Sequence, residues 1–171
     1  MPTLELLMKN QQVELIGRNW LVNELLQANL EVALPLRDRG IDLIAFADLD
    51  THVKSFIARP IQMKAYTDSR FEINKKYEKF PNLILAYVWY LKDPSKTVTY
   101  GLTYQEAVRV ADDMGWTKTI SWEKGAYSTT NPSKPLLDLL ESYKMLSPQK
   151  WWDKIINVPE SDRTLNTNPN S

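Results

Sequence analysis

Residues 83–91 are apolar on both faces of any strand they form, with Tyr87, Val88 and Trp89 among them. A strand without a polar face has to be covered on both sides, so the chain needs a sheet held between two layers. The rest of the chain can supply them: 171 residues at 43% hydrophobic content is roughly one domain with a proper core. No run of about eighteen uncharged apolar residues exists, so no membrane span is expected. Residues 1–9 carry Glu5 and Lys9 and lack a small-residue cleavage pattern. They are not expected to be a signal peptide, and a cytoplasmic location follows as an expectation.

The periodicity along the chain fills in the layers. Leu4, Leu7, Val13, Ile16, Trp20, Leu21 and Leu25 fall at helical spacing, and Asn29 sits where a left-handed C-terminal residue belongs. Strands are expected over 30–36, 41–46 and 57–66, with 53–56 a further pairing segment. Ser69 is placed to cap a helix through Lys79. The apolar strand 83–91 follows, then a strand from 97 to 100. Thr103 and Glu106 form a capping-box pattern that opens a helix to about Met114, with Gly115 after it. Helices are expected over 136–145 and 148–156. Residues 1–157 thus read as a single α/β domain with a mixed central sheet flanked by helices. Residues 158–171, rich in Ser, Thr, Asn and Pro, read as a disordered polar tail.

Composition removes most chemistry. There are no cysteines, which excludes disulfides, thiolate nucleophiles and Cys-containing zinc sites. His52 is the one histidine, so no site needing two imidazoles is available. The five glycines form neither of the common phosphate-binding loops. Charge is balanced, 21 Lys+Arg against 21 Asp+Glu, which gives no general attraction to polyanions and leaves local basic patches as the only route to nucleic acid. What remains is work for carboxylates, amides, lysines and hydroxyls.

Asp42, between Ile41 and Leu43, is a carboxylate in an apolar strand, costly unless it meets a metal or a donor. Twenty positions on, Gln62 and Lys64 are two residues apart and so share one face of a strand. Placed on neighbouring strands, Asp42, Gln62 and the Met63 carbonyl offer hard oxygen ligands for magnesium or manganese. Lys64 is placed to hold an attacking water and to stabilise charge on a phosphate.

At these residues the sequence resembles the PD-(D/E)XK nuclease superfamily, nearest in look to its Mrr-like restriction branch. The residues that match are Asp38-x-Gly40-x-Asp42 followed by Gln62-x-Lys64, within roughly the first hundred positions. The resemblance implies a restriction-endonuclease-like αβββαβ core, Mg2+ or Mn2+ as cofactor, and hydrolysis of DNA phosphodiesters. It also implies a glutamate from the first helix near positions 18 or 19, where this chain has Arg18 and Asn19. Glu14 and Glu24 are the substitutes within reach along that helix, and Gln62 stands where an acid is usual.

Each residue also has a plainer use. Asp42 would otherwise steady a turn through Arg37 or Arg39, and Gln62 and Lys64 would line a solvated strand edge. Arg39, Arg70, Lys75, Lys76 and Lys79 offer a basic stripe for a phosphate backbone, or simply a solvated face. His52, Asp48 and Asp50 read as loop residues, and Glu72 as a surface charge or a displaced acid. Trp151-Trp152 has to bury against the body, a protein partner or a second copy in a homodimer. Two other functions stand beside the nuclease: a nuclease-like fold that only binds nucleic acid or serves as a subunit, and an interaction protein docking through the tryptophan pair.

Overall fold

The computed structural model describes residues 9–37, 39–48 and 53–157. Helix α1 (Asn10–Gln27) leads into strands β1 (Leu30–Ala33), β2 (Leu43–Ala47) and β3 (Ala58–Ala65). Strand β4 (Phe71–Asn74) and a 3-10 turn (Lys75–Tyr77) come next, then β5 (Ile84–Trp89) and β6 (Val98–Thr103). The chain closes with α2 (Tyr104–Asp113), the short α3 (Ile120–Glu123), β7 (Ala126–Thr129), α4 (Lys134–Leu140) and α5 (Pro148–Ile155). Among the described residues no helix is long and apolar enough to cross a membrane.

The main sheet has the order β1-β2-β3-β5-β6. Its pairs are antiparallel except β3 with β5, so the sheet is mixed. Every residue of β5 is buried. Ile84, Ala86 and Val88 join a core with Leu21 and Leu25 of α1 and Trp151 of α5. Leu85, Tyr87 and Trp89 join a second core with Phe71, Ile73, Leu102, Ala107 and Leu136. The two-sided burial expected of residues 83–91 is therefore met by two different layers.

Local signals hold at several ends. Asn29 adopts φ 59, the left-handed conformation that ends α1. Thr103 Oγ1 accepts the Glu106 N–H at 3.2 Å while Glu106 Oε2 accepts the Thr103 N–H at 2.8 Å, closing the capping box of α2. The described part of the first helix begins at Asn10, and Asp38, residues 49–52 with His52 and Asp50, and the tail from 158 lie outside the described residues.

The helix expected over 69–79 is replaced by β4 and a 3-10 turn. Phe71 and Ile73 are buried and alternate with Glu72 and Asn74, a period of two that tertiary pairing with β7 turns into a strand. Asn74 Oδ1 then accepts the Lys76 N–H at 2.9 Å and bends the chain into the turn. Residues 53–56 form no strand. Strand β7 carries Tyr127, and the helix expected over 136–145 stops at Leu140 before a 3-10 turn.

Gly17 sets how near α1 lies to the sheet. A Cβ there would stand 2.5 Å from the Ala65 Cβ at the end of β3. Alanine normally strengthens a helix by about 1 kcal/mol over glycine, but overpacking against a rigid strand costs about 1–3 kcal/mol. Gly17→Ala is expected to lower stability in urea unfolding, and unchanged or raised stability would mean that helix and strand are free to separate.

Candidate functional site

Strand β3 outruns its neighbour. Its antiparallel pairing with β2 ends at Leu43 opposite Ile61, whereas β3 continues to Ala65. Residues 62–65 therefore have β5 on one side and no strand on the other. Asp42, one residue before β2, fills part of that gap. Its N–H donates to the Ile61 carbonyl at 2.9 Å, and its Oδ2 accepts the Met63 N–H at 2.6 Å. The carboxylate thus replaces the next rung of the ladder and satisfies a donor that would otherwise be orphaned. Gln62 Nε2 donates to the same Oδ2 at 2.6 Å and lies 3.3 Å from the Met63 carbonyl oxygen.

Around this open edge runs a cleft of about 440 Å³. Asp42, Gln62, Met63 and Lys64 line it from the sheet, Glu14 from α1, Arg70 from just before β4 and Glu72 from β4 itself. The residues expected to act together are thus brought together. Gln62 and Lys64 do share one face of β3, opposite Leu85 and Tyr87 of β5. Glu14 sits at the rim and its Oε1 takes the Arg18 Nη2 at 2.8 Å.

Glu24 is elsewhere. Its carboxylate accepts the indole N–H groups of Trp20 (2.8 Å) and Trp151 (3.1 Å) and the hydroxyl of Thr99 (3.0 Å). Burial raises its pKa above 4.5 against the pull of those three donors, the Trp151 bond foremost. It ties α1 to β6 and α5 and is not part of the cleft lining. The same bond explains Trp151, which is 1% exposed, while Trp152 packs against the same core.

Lys64 meets Glu72, which the sequence leaves as a surface charge or a displaced acid. Its Nζ is 2.7 Å from Glu72 Oε1, with the two side chains only 20% and 25% exposed. Glu72 Oε2 reaches Arg70 Nη2 at 3.2 Å, so one carboxylate bridges two cations. Burial favours the neutral form of Lys64, but the bond to Glu72 outweighs it and leaves the ammonium pKa above 10.5. Burial likewise opposes ionisation of Glu72, and Lys64, Arg70 and Tyr66 together bring its pKa below 4.5. Tyr66 is pushed above its ordinary value by burial and by the Glu72 charge. The pair was hidden because 69–79 reads as a helix; the alternation Phe71-Glu72-Ile73-Asn74 is the signal that would have found it.

The basic residues expected as one stripe are divided: Arg70 lines the cleft and, with Lys76, an adjoining pocket, while Lys75 lines another. Lys75 Nζ lies over the Trp122 ring at 5.1 Å, Lys76 over Tyr77 at 5.0 Å and Lys79 over Phe80 at 5.6 Å. Only Arg70 of the five candidate phosphate contacts lines the cleft, and Arg39 is exposed outside it. Among the described residues no group of three or more His, Cys, Asp or Glu side chains stands where it would hold a metal.

No protein-family model, curated protein or solved structure matches the chain. The geometry is therefore the ground for a functional reading.

The electrostatics give a pH test. The folded Glu72 pKa lies below its ordinary 4.5, so the stabilisation from its pairing is complete above that value. It is lost as pH falls through the lower folded value. Glu72→Gln is expected to cost about 1–3 kcal/mol near neutral pH. In denaturant unfolding the gap from wild type should narrow as pH drops below 4.5. A gap independent of pH would mean that the carboxylate charge carries none of it.

Proposed function

We propose that the protein is a metal-dependent nuclease that hydrolyses DNA phosphodiester bonds at the open edge of β3. The observation that carries this reading is the convergence of Asp42, Gln62 and Lys64 on one cleft, with Glu14 at its rim. A restriction-endonuclease-like core belongs to the same proposal. It is supported by the order α1, β1, β2, β3 and by the parallel pairing of β3 with β5. The crossover between those two strands, through β4 and a 3-10 turn rather than a helix, is a departure from that pattern.

The donor set suits magnesium or manganese. Asp42 offers a carboxylate beside the Met63 carbonyl, and a half-turn of the Gln62 amide would present Oε1 in place of Nε2. Such ions retain several waters and need only one or two carboxylates, which matches Asp42 with Glu14 as the second. Bound there, the ion would supply Lewis-acid activation of the phosphodiester and of the attacking water. Lys64, kept protonated by Glu72, supplies a positive donor for charge building on a phosphate oxygen and for orienting water. Asp42 also holds the register of Met63, so its carboxylate is fixed to the backbone that carries Gln62 and Lys64.

A second reading is a nuclease-like fold that binds nucleic acid with little or no turnover. It is favoured by the engagement of both Lys64 and Arg70 with Glu72, which leaves the cations partly neutralised.

Cleavage of supercoiled, linear and branched DNA with magnesium or manganese decides between them. Asp42→Ala and Lys64→Ala are each expected to lose at least about 100-fold in rate, the scale of removing a preorganised charge at a reacting centre. Glu14→Ala is expected to lose about 10-fold, as for a peripheral metal contact. Cutting that survives Asp42→Ala combined with Lys64→Ala would overturn the nuclease reading. A folded wild-type protein that binds DNA without cutting it would support the second.

A further inference from the structure

The cleft does not end at Lys64. A second pocket of about 270 Å³ shares Lys64, Arg70 and Glu72 with it as a common wall and continues along β4 and β7 to Asn74, Lys76 and Ser128. The two spaces are sorted by charge. The first is lined by the carboxylates of Glu14, Asp42 and Glu72 against Lys64 and Arg70. The second is lined by Lys64, Arg70 and Lys76 against Glu72 alone. One side therefore favours a cation and the adjoining side an anion.

The cationic side gathers around one ring. Lys64 and Lys76 approach the same buried Tyr77 ring, with Nζ at 5.9 and 5.0 Å from its centroid. Contacts of this kind leave the charge of both ammonium groups intact, and Lys76 is exposed. Glu72 divides its two oxygens between Lys64 and Arg70, and Lys76 has no salt bridge among the described residues. The Asn74 bond to the Lys76 N–H fixes the start of the turn, and Ser128 lies directly across the ribbon from Glu72. Its hydroxyl adds a neutral donor to the pocket lining.

We propose that this pocket is a phosphate subsite for a nucleic-acid strand, seating the phosphate next to the one presented to Asp42 and Gln62. The inference rests on the nuclease reading for the position of the neighbouring phosphate. It adds where the strand runs: out of the cleft, past Lys64, and along the β4–β7 ribbon. Lys76 and Ser128 are the residues that this path adds to the site.

Fluorescence anisotropy of a 5′-labelled thymidine hexanucleotide in EDTA tests it without any hydrolysis. Lys76→Glu is expected to weaken binding at least 10-fold. Lys76→Ala should lower the slope of log affinity against log salt by about 0.7, the value for one phosphate contact on a single strand. Lys134→Ala, an exposed cation on α4, should change neither. Wild-type binding that is indifferent to both Lys76 variants would overturn the subsite. So would inorganic phosphate binding as tightly as the hexanucleotide, since the pocket would then hold a free anion rather than a strand. The nuclease reading is judged separately, by Asp42-dependent cutting. Cutting with Lys76-independent binding removes the subsite alone, and Lys76-dependent binding without cutting keeps the strand path while removing the nuclease.

Discussion

The burial of β5 on both faces organises the rest of the molecule. A strand that exposes no polar face needs one layer over Ile84, Ala86 and Val88 and another over Leu85, Tyr87 and Trp89. Helices α1 and α5 supply the first, while β4, α2 and α4 supply much of the second. Because β5 runs parallel to β3, the chain between them has to cross from one end of the sheet to the other. That crossover is where β4 lies, and β4 is what brings Glu72 to Lys64. The ion pair in the cleft is therefore a consequence of how the doubly buried strand is reached.

The cleft itself is a matter of register. Since β2 starts opposite Ile61, the end of β3 has an unpaired edge, and such an edge invites another chain unless something covers it. Asp42 takes the Met63 N–H, and α1 comes down close enough at Gly17 to carry Glu14 to the same place. The arrangement that protects the edge is also the one that gathers carboxylate, amide and ammonium around it. Structural and chemical demands on Asp42 coincide: without its carboxylate, Met63 loses a backbone partner as well as any ligand it shares.

Much of this is legible in the residues. The apolar run 83–91 has no polar alternation, so its double burial follows from composition alone. Gln62 and Lys64 share a face because a strand repeats every two residues, and Asp42 meets Gln62 because the chain bends at Gly40 just before the neighbouring strand begins. The segment 69–79 was not legible for the opposite reason. Ser69 offers a helix cap and the run after it is mostly charged, while only Phe71 and Ile73 mark one face of a strand, and β7, the partner that decides, comes more than fifty positions later. Glu24 misleads in the same way: along α1 it counts as a neighbour of Glu14, but ten positions of helical rotation and rise turn it toward Trp151 and Thr99.

Glu72 is where these threads meet, and it limits what the cleft can do. Its carboxylate adds a third acid to a lining where Gln62 stands for one, but both of its oxygens already face cations. A divalent ion in the cleft would draw chiefly on Asp42 and on Glu14, whose own oxygen is shared with Arg18. Weak retention of such an ion would follow, since each of these carboxylates already has protein partners. Glu72 gives in exchange an ammonium held charged despite burial, at the boundary between the anionic and cationic pockets. On the proposed reading, a phosphate at that boundary would compete with Glu72 for Lys64 and Arg70, and binding of a strand would loosen the pair that holds them. On the nuclease reading, the lysine is then released toward the substrate only when a substrate is there to take it.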